Sequence, residues 1–360
     1  MLTTSNRIKT KLNHKSEIGA VFSDDDKTAV TRKQDHIALA FQSQVQQMSL
    51  DGRFYYEPML SAHPGDMVEP FPFLGKVFRA PLWVSSMTGG TAMAGTINHN
   101  LARAAGEFGF GMGLGSCRSL LTDDTYLPDF DVRNLIGDNL PLYANLGIAQ
   151  VEKLIENNQT DLIDNLIAKL RADGLIVHIN PMQEWLQPEG DRFTRSPLET
   201  LKRLIDLKPN LGIIVKEVGQ GMGPESLRAL MKLPIMALDF AAAGGTSFSM
   251  LELLRSEEAL MQAYKPLVSI GHSAEEMVGF VNNILAEEKE ILCKEIIISG
   301  GIQSFVDGYY LINKINAPAI YGQASAFLKH ARGHYDELER FISLEVKGIE
   351  IAKKFLKIRS

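Results

Sequence analysis

Cysteine is scarce in this chain, two residues in 360, Cys117 and Cys293. They lie far apart, with no Cys-x-x-Cys or Cys/His spacing, which excludes a disulfide framework and a cysteine-built zinc site and fits a reducing compartment. Long apolar runs are missing too: nothing approaches the about 18 residues of a membrane span. The first residues, with Arg7, Lys9, Lys11 and Lys15 among polar neighbours, lack the apolar stretch of a signal peptide. A cytoplasmic protein is expected. Positive charge is not in surplus either, since 37 Lys and Arg face 43 Asp and Glu for a net −6. Generic attraction to nucleic acid or to an anionic membrane is thereby disfavoured, and any anionic ligand has to meet placed cations. Low-complexity tracts and short repeats are absent.

What the chain does have is ordinary globular composition, 45% hydrophobic and 22% charged, and length for a large core. Residues 1–30 are polar. An amphipathic helix is predicted from Thr31, with Ile37, Phe41 and Val45 spaced by four; residues 50–80 read as irregular strand and turn. From residue 81 on, short apolar runs ending in glycine or polar turns alternate with helical patterns. The runs are Pro81–Ser86, Phe110–Leu114, Leu142–Ala144, Gly174–Ile179, Leu211–Val215, Ile235–Phe240, Glu295–Ile298 and Ala317–Tyr321. Near-continuous apolar strands separated by helices imply a parallel sheet covered on both faces, and eight of them over about 250 residues imply a closed (β/α)8 TIM barrel. A doubly wound sheet is the rival. The run Pro266–Gly271 is strand-like but falls between helices expected at 250–264 and 273–288. The expected organisation is an N-terminal extension over 1–80, packed on the barrel as a substrate-capping segment, and a barrel over 81–360.

Barrel active sites sit at the C-terminal strand ends, so the residues just after each run are candidates. Ser299-Gly300-Gly301-Ile302 and Gly322-Gln323-Ala324 follow the last two strands, and Gly244-Gly245-Thr246 follows an earlier one. Turns at these places bind phosphate through backbone N–H groups. Lys216 ends the run Gly212–Val215, where a buried ammonium needs an anion, an electron-rich ligand or a carboxylate such as Asp239. His178 and Asn180 share one face of the fourth strand. Either they point into the mouth with Gln183 and Glu184 above them, or they form a core hydrogen-bonded pair. A lone carboxylate such as Glu184 suits Mg2+ that also takes oxygens from a diphosphate. Arg32, Lys33 and His36, with Arg118, offer a cationic clamp, although charges on a helix face are usually only solvated.

Read in order, these segments resemble the type 2 isopentenyl-diphosphate delta-isomerases, the FMN-dependent family. The matching stretches are Arg-Lys-Gln-Asp-His (32–36), Met-Thr-Gly-Gly (87–90), Gly-Ser-Cys-Arg (115–118), Asn-Leu-Gly (145–147), His-Ile-Asn-Pro-Met-Gln-Glu (178–184), Gln-Pro-Glu-Gly-Asp (187–191), Lys-Glu-Val-Gly (216–219), Gly-Gly-Thr-Ser (244–247) and Ser-Gly-Gly-Ile (299–302). The resemblance implies interconversion of isopentenyl and dimethylallyl diphosphate with reduced FMN and Mg2+, NADPH serving as flavin reductant, in a homotetramer or larger assembly. By analogy Arg32, Lys33, His36, Ser116, Arg118, His178, Asn180 and Gln183 face the substrate, and Glu184 holds the metal. Met87, Thr88, Gly89, Ser116, Asn145, Lys216, Thr246, Gly300, Gly301, Gln323 and Ala324 hold FMN. Gln183, Lys216 and His178 are the expected catalytic residues. The chain departs from the family pattern at Cys117, at Phe248, at Ala241-Ala242-Ala243 and at Ile270-Gly271-His272-Ser273.

Two other readings remain. An FMN-dependent 2-hydroxy-acid oxidoreductase would share the barrel and use a histidine base with an arginine, for which His272 and Arg255 are available, but it leaves the 178–184 segment unexplained. A catalytically silent flavin-binding protein would need none of that segment.

Overall fold

The apolar runs become the staves of one barrel. A computed structural model describes residues 29–65, 68–86 and 92–359. Its strands are β1 (Phe54–Tyr56), β2 (Phe71–Phe73), β3 (Lys76–Phe78), β4 (Leu82–Val84), β5 (Gly111–Gly113), β6 (Leu142–Gly147), β7 (Gly174–His178), β8 (Ile213–Lys216), β9 (Ala237–Asp239), β10 (Glu295–Ser299), β11 (Ala319–Gln323) and β12 (Leu356–Ile358). Strands β4 to β11 pair in parallel in chain order, and β11 closes on β4. Each of the eight expected runs contains one of these strands or at least half of it. Their side chains are buried almost throughout because helices cover the outer face.

One expected helix and one strand-like run differ in the structure. The stretch expected as one helix over 250–264 is two, Phe248–Arg255 and Glu258–Val268, separated at Ser256. The strand-like Pro266–Gly271 lies partly in the second of these, with Pro266 inside the helix. Several helices begin on clear signals: Ser196 accepts a hydrogen bond from the Glu199 amide before the Pro197–Leu207 helix, and Ser273 with Glu276 forms a capping box before Ala274–Glu287.

The chain divides into two compact units, with the boundary at Gly52 and Arg53 rather than at 80/81. Residues 53–80 belong with the barrel because β1 pairs antiparallel with β12, Phe54 opposite Ile358. The region read as irregular also holds the hairpin β2–β3, joined by Leu74 and Gly75 with φ of 51° and 70°, the signature of a tight two-residue hairpin turn. Phe73 and Phe78 of this hairpin are buried, and the Leu74 amide donates to the Glu295 carboxylate at the start of β10, 2.8 Å.

In the first unit the helix spans Ala29–Leu39, shorter than the spacing of Ile37, Phe41 and Val45 implies. Those three side chains are exposed, as is every described residue from 31 to 52. Apolar spacing alone does not lengthen a helix without packing to stabilise it. No helix among the described residues is long and apolar enough to cross a membrane.

Candidate active site at the barrel mouth

Parallel register places Gly147, His178, Lys216 and Asp239 in one row across the ends of β6 to β9. Neighbouring residues in a parallel row face the same side, so the row is a polar layer in the barrel mouth. Its central hydrogen bond fixes a tautomer. Asn145 Nδ2 donates to the Leu114 carbonyl, 3.0 Å, so its Oδ1 accepts from His178 Nδ1–H, 2.8 Å. Burial, with the Lys216 charge beside it, pushes the His178 ring down to about 3. A neutral imidazole with hydrogen on Nδ1 leaves Nε2 as an acceptor. The core pairing considered for His178 exists, but with Asn145 rather than Asn180.

Lys216 is 5% exposed, and its ammonium donates to the Glu217 carbonyl, 2.6 Å. Burial lowers its pKa; the charges of Asp239 and Glu217 oppose that. Asp239 therefore faces it in the row without an ion-pair contact. Asp239 is fully buried and raised by that burial; one oxygen accepts from Ser299 Oγ, while the other has no hydrogen-bond partner among the described residues.

Beyond His178 the chain turns into the Pro181–Leu186 helix, started by a proline at its first position. Asn180 Nδ2 reaches back to Gln183 Oε1, 3.1 Å, and to Glu184 Oε1, 3.0 Å. Glu184 is 7% exposed, and its second oxygen accepts from the Asp191 amide, 2.6 Å. Asp191 accepts from Gln150 at 3.0 Å and Lys153 at 2.5 Å, and pairs with Arg118 at 3.4 Å. These contacts gather Asn180, Gln183, Glu184 and Arg118 on one side of the mouth. Among the described residues no three His, Cys, Asp or Glu side chains converge as a metal cage.

Two cavities open beside the row. The smaller, about 110 Å³, is lined by Ser116, Asn145, His178, Gln183 and Lys216 among others. The larger, about 570 Å³, is lined by Lys216, Thr246, Gly300, Gly301, Gln323 and Ala324 among others. Ser86, Lys216, Val218 and Phe248 line both. The turns after β9 and β10 lie against each other, and only glycine permits this: a Cβ on Gly300 would sit 2.1 Å from the Ala242 carbonyl oxygen, and Gly300 and Gly301 have φ of 90° and 73°. Ser85 Oγ, Ser86 Oγ and both polar atoms of Gln323 are buried with no hydrogen-bond partner among the described residues. Unpaired polar atoms around a glycine cradle fit a ligand with a planar polar ring and a phosphate tail, such as a flavin nucleotide.

Met87, Thr88 and Gly89 lie outside the described residues. Arg32, Lys33 and His36 stand on the exposed helix of the first unit. Sequence reasoning missed Glu252, which is 4% exposed and whose Oε1 accepts from Gln183 Nε2 at 3.4 Å. Its place seven residues after Gly245 is a spacing with no motif to mark it. Of the residues available to an oxidoreductase, His272 lines neither cavity and packs edge-on against Phe280, while Arg255 pairs with Glu252 and Glu189.

An eight-stranded parallel barrel with cofactor-sized space at its C-terminal mouth is the architecture of a TIM-barrel enzyme. Solved structures agree on the fold: a mandelate oxidase variant with a monooxide FMN adduct matches with TM-score 0.52 at 13% identity over 85% of this chain and 88% of that one. The flavin-binding domain of baker's yeast flavocytochrome b2 matches with TM-score 0.55 at 14% identity over 83% and 70%. No protein-family model matches. Sequence relatives specify more. Isopentenyl-diphosphate delta-isomerase of Rickettsia felis is 34% identical over 325 residues, covering 89% of each chain. That of Rickettsia typhi is 32% identical over 331 residues, covering 91% of this chain and 92% of its own. The chain belongs to the type 2 isopentenyl-diphosphate delta-isomerase family and is an isomerase.

Proposed function

We propose that this enzyme interconverts isopentenyl diphosphate and dimethylallyl diphosphate by a 1,3-proton shift, with reduced FMN and Mg2+ bound and NADPH as the flavin's reductant. The observation that carries this reading is the pair of adjoining cavities sharing Lys216 and Phe248, one with a glycine cradle, the other lined by His178 and Gln183.

The reaction adds a proton at the alkene's terminal carbon and removes one from the allylic carbon, with no net redox change. An alkene is a very weak base, so a strong, well-placed acid is required. The residues at the small cavity do not supply it. His178 is neutral and its free Nε2 accepts rather than donates, Gln183 is a poor acid, and both oxygens of Glu184 already take hydrogen bonds. Reduced FMN would supply the acid–base group. Thr246, Gly300, Gly301, Gln323 and Ala324 would hold it, with Asn145, Ser116, Lys216 and the Met87, Thr88 and Gly89 segment. Lys216 sets the positive potential of that mouth, and His178, fixed by Asn145, offers an acceptor of one defined orientation. Gln183, tied between Asn180 and Glu252, orients the reacting carbons.

Glu184 would hold Mg2+ together with diphosphate oxygens and water, since a single protein carboxylate is usual for magnesium. Arg118 would help to hold the diphosphate, and Arg32, Lys33 and His36 are further candidate cations for it. A homotetramer or larger assembly in the cytoplasm completes the proposal. The test is anaerobic: purified protein with NADPH, Mg2+ and isopentenyl diphosphate should give dimethylallyl diphosphate by NMR and show flavin absorbance. Oxidation of lactate or glycolate instead would overturn the reading in favour of an oxidoreductase.

A further inference from the structure

The larger cavity has an unusual electrostatic lining for so acidic a protein. Among the described residues its lining contains two ionisable side chains, Lys216 and Lys329, and no carboxylate, although the chain carries a net charge of −6. The two lysines differ in circumstance. Lys216 is buried and committed to the Glu217 carbonyl. Lys329 stands one helical turn beyond Ser325 on the Ser325–Ala331 helix, is exposed, and makes no hydrogen bond or ion pair among the described residues.

A second observation explains why a cation is needed at that end. The turn Gly300-Gly301 leads into the Phe305–Lys314 helix, whose first amides would ordinarily be available to a phosphate. The two amides just before it are already taken. The amides of Gln303 and Ser304 donate to the Asp307 carboxylate at 3.2 and 3.0 Å, and Asp307 also pairs with Arg53 at 2.9 Å. A carboxylate thus occupies the turn before the helix, and those two amides are not available to a phosphate. The compensating charge has to come from the cavity wall, and Lys329 is the uncommitted one.

Resting on the flavin reading above, we propose that Lys329 is the counter-charge of the flavin phosphate and makes the site prefer FMN to unphosphorylated riboflavin. Equilibrium binding of FMN and of riboflavin to the flavin-stripped full-length chain, followed by flavin fluorescence, tests it with Lys329→Ala and Lys329→Arg. For Lys329→Ala, FMN should bind about tenfold more weakly and riboflavin within about twofold of wild type, a contrast set by a charge-assisted contact to an anion. Lys329→Arg should retain FMN affinity, and added salt should shrink the difference because the ammonium is exposed. Unchanged FMN affinity in Lys329→Ala, or equal weakening of both flavins, overturns the assignment while leaving the flavin reading intact. A wild-type chain that binds neither flavin overturns that reading and this assignment with it.

Discussion

His178 should make this protein lose stability in mild acid, and the structure gives the size of the loss. Its ring is held neutral in the fold, with a pKa near 3 against an ordinary 6.5, chiefly because burial penalises the imidazolium and secondarily because Lys216 repels it. The unfolded chain therefore takes up the proton first on acidification. The contribution is complete above about pH 6.5 and is lost as pH falls toward 3, at about 1.4 kcal/mol per unit. Between about pH 8 and pH 5 the full shift corresponds to about 2 kcal/mol. One edge of the ring lines the small cavity, where water screens the charge, so a loss of about 1–2 kcal/mol is expected.

The assay is urea unfolding across that pH range for wild type and His178→Gln. Asp239 and Glu295, which burial raises, move stability in the opposite sense, but both proteins carry them and the difference cancels their part. The gap between wild type and variant should close, by the amount above, as pH drops. A pH-independent gap, or an imidazole of His178 that titrates near 6.5 by NMR in the folded protein, would refute the neutral, Asn145-bonded state and with it the assignment of Nε2 as an acceptor.

Gln183→Ala should lower kcat by about tenfold or more while flavin content stays at the wild-type level, because Gln183 lines the substrate-side cavity alone; a parallel loss of bound flavin would place the residue in the cofactor site instead. Ala241, a residue with a side chain held at φ of 42°, should gain about 0.5–1 kcal/mol on replacement by glycine in urea unfolding. An ordinary buried alanine loses about as much, so the sign of the change decides.

How much of this was legible in the residues follows from which forces act locally. The eight strands were readable because a parallel barrel strand is apolar on both faces, and the run Leu142–Ala144 or Glu295–Ile298 can be little else in alternation with helices. The glycine turns were readable because positive φ at Gly300 and Gly301 selects the residue type. The Leu74-Gly75 hairpin was missed because leucine disguises a turn position that asparagine or glycine would have announced. The end of the first helix at Leu39 was missed because spacing reports what a segment is able to bury, and not whether anything covers it.

The partners of the polar row were hidden for a different reason, which is that barrel closure converts chain order into ring order. Ser85 and Gln323 stand at the two ends of the barrel sequence, yet the Ser85 amide donates to the Gln323 carbonyl at 3.1 Å because β11 pairs with β4. Their side chains are left together at the cavity wall without partners. By sequence Asp239 is a candidate salt-bridge partner for Lys216, and the register does place them side by side, yet the ammonium turns to a backbone carbonyl and Asp239 to Ser299. A buried lysine that makes no ion pair with the carboxylate beside it in the row keeps its ammonium available at the cavity wall. That arrangement is of little use to a core and of direct use to a ligand with electron-rich edges, which is the physical reason to regard Lys216 as part of the site.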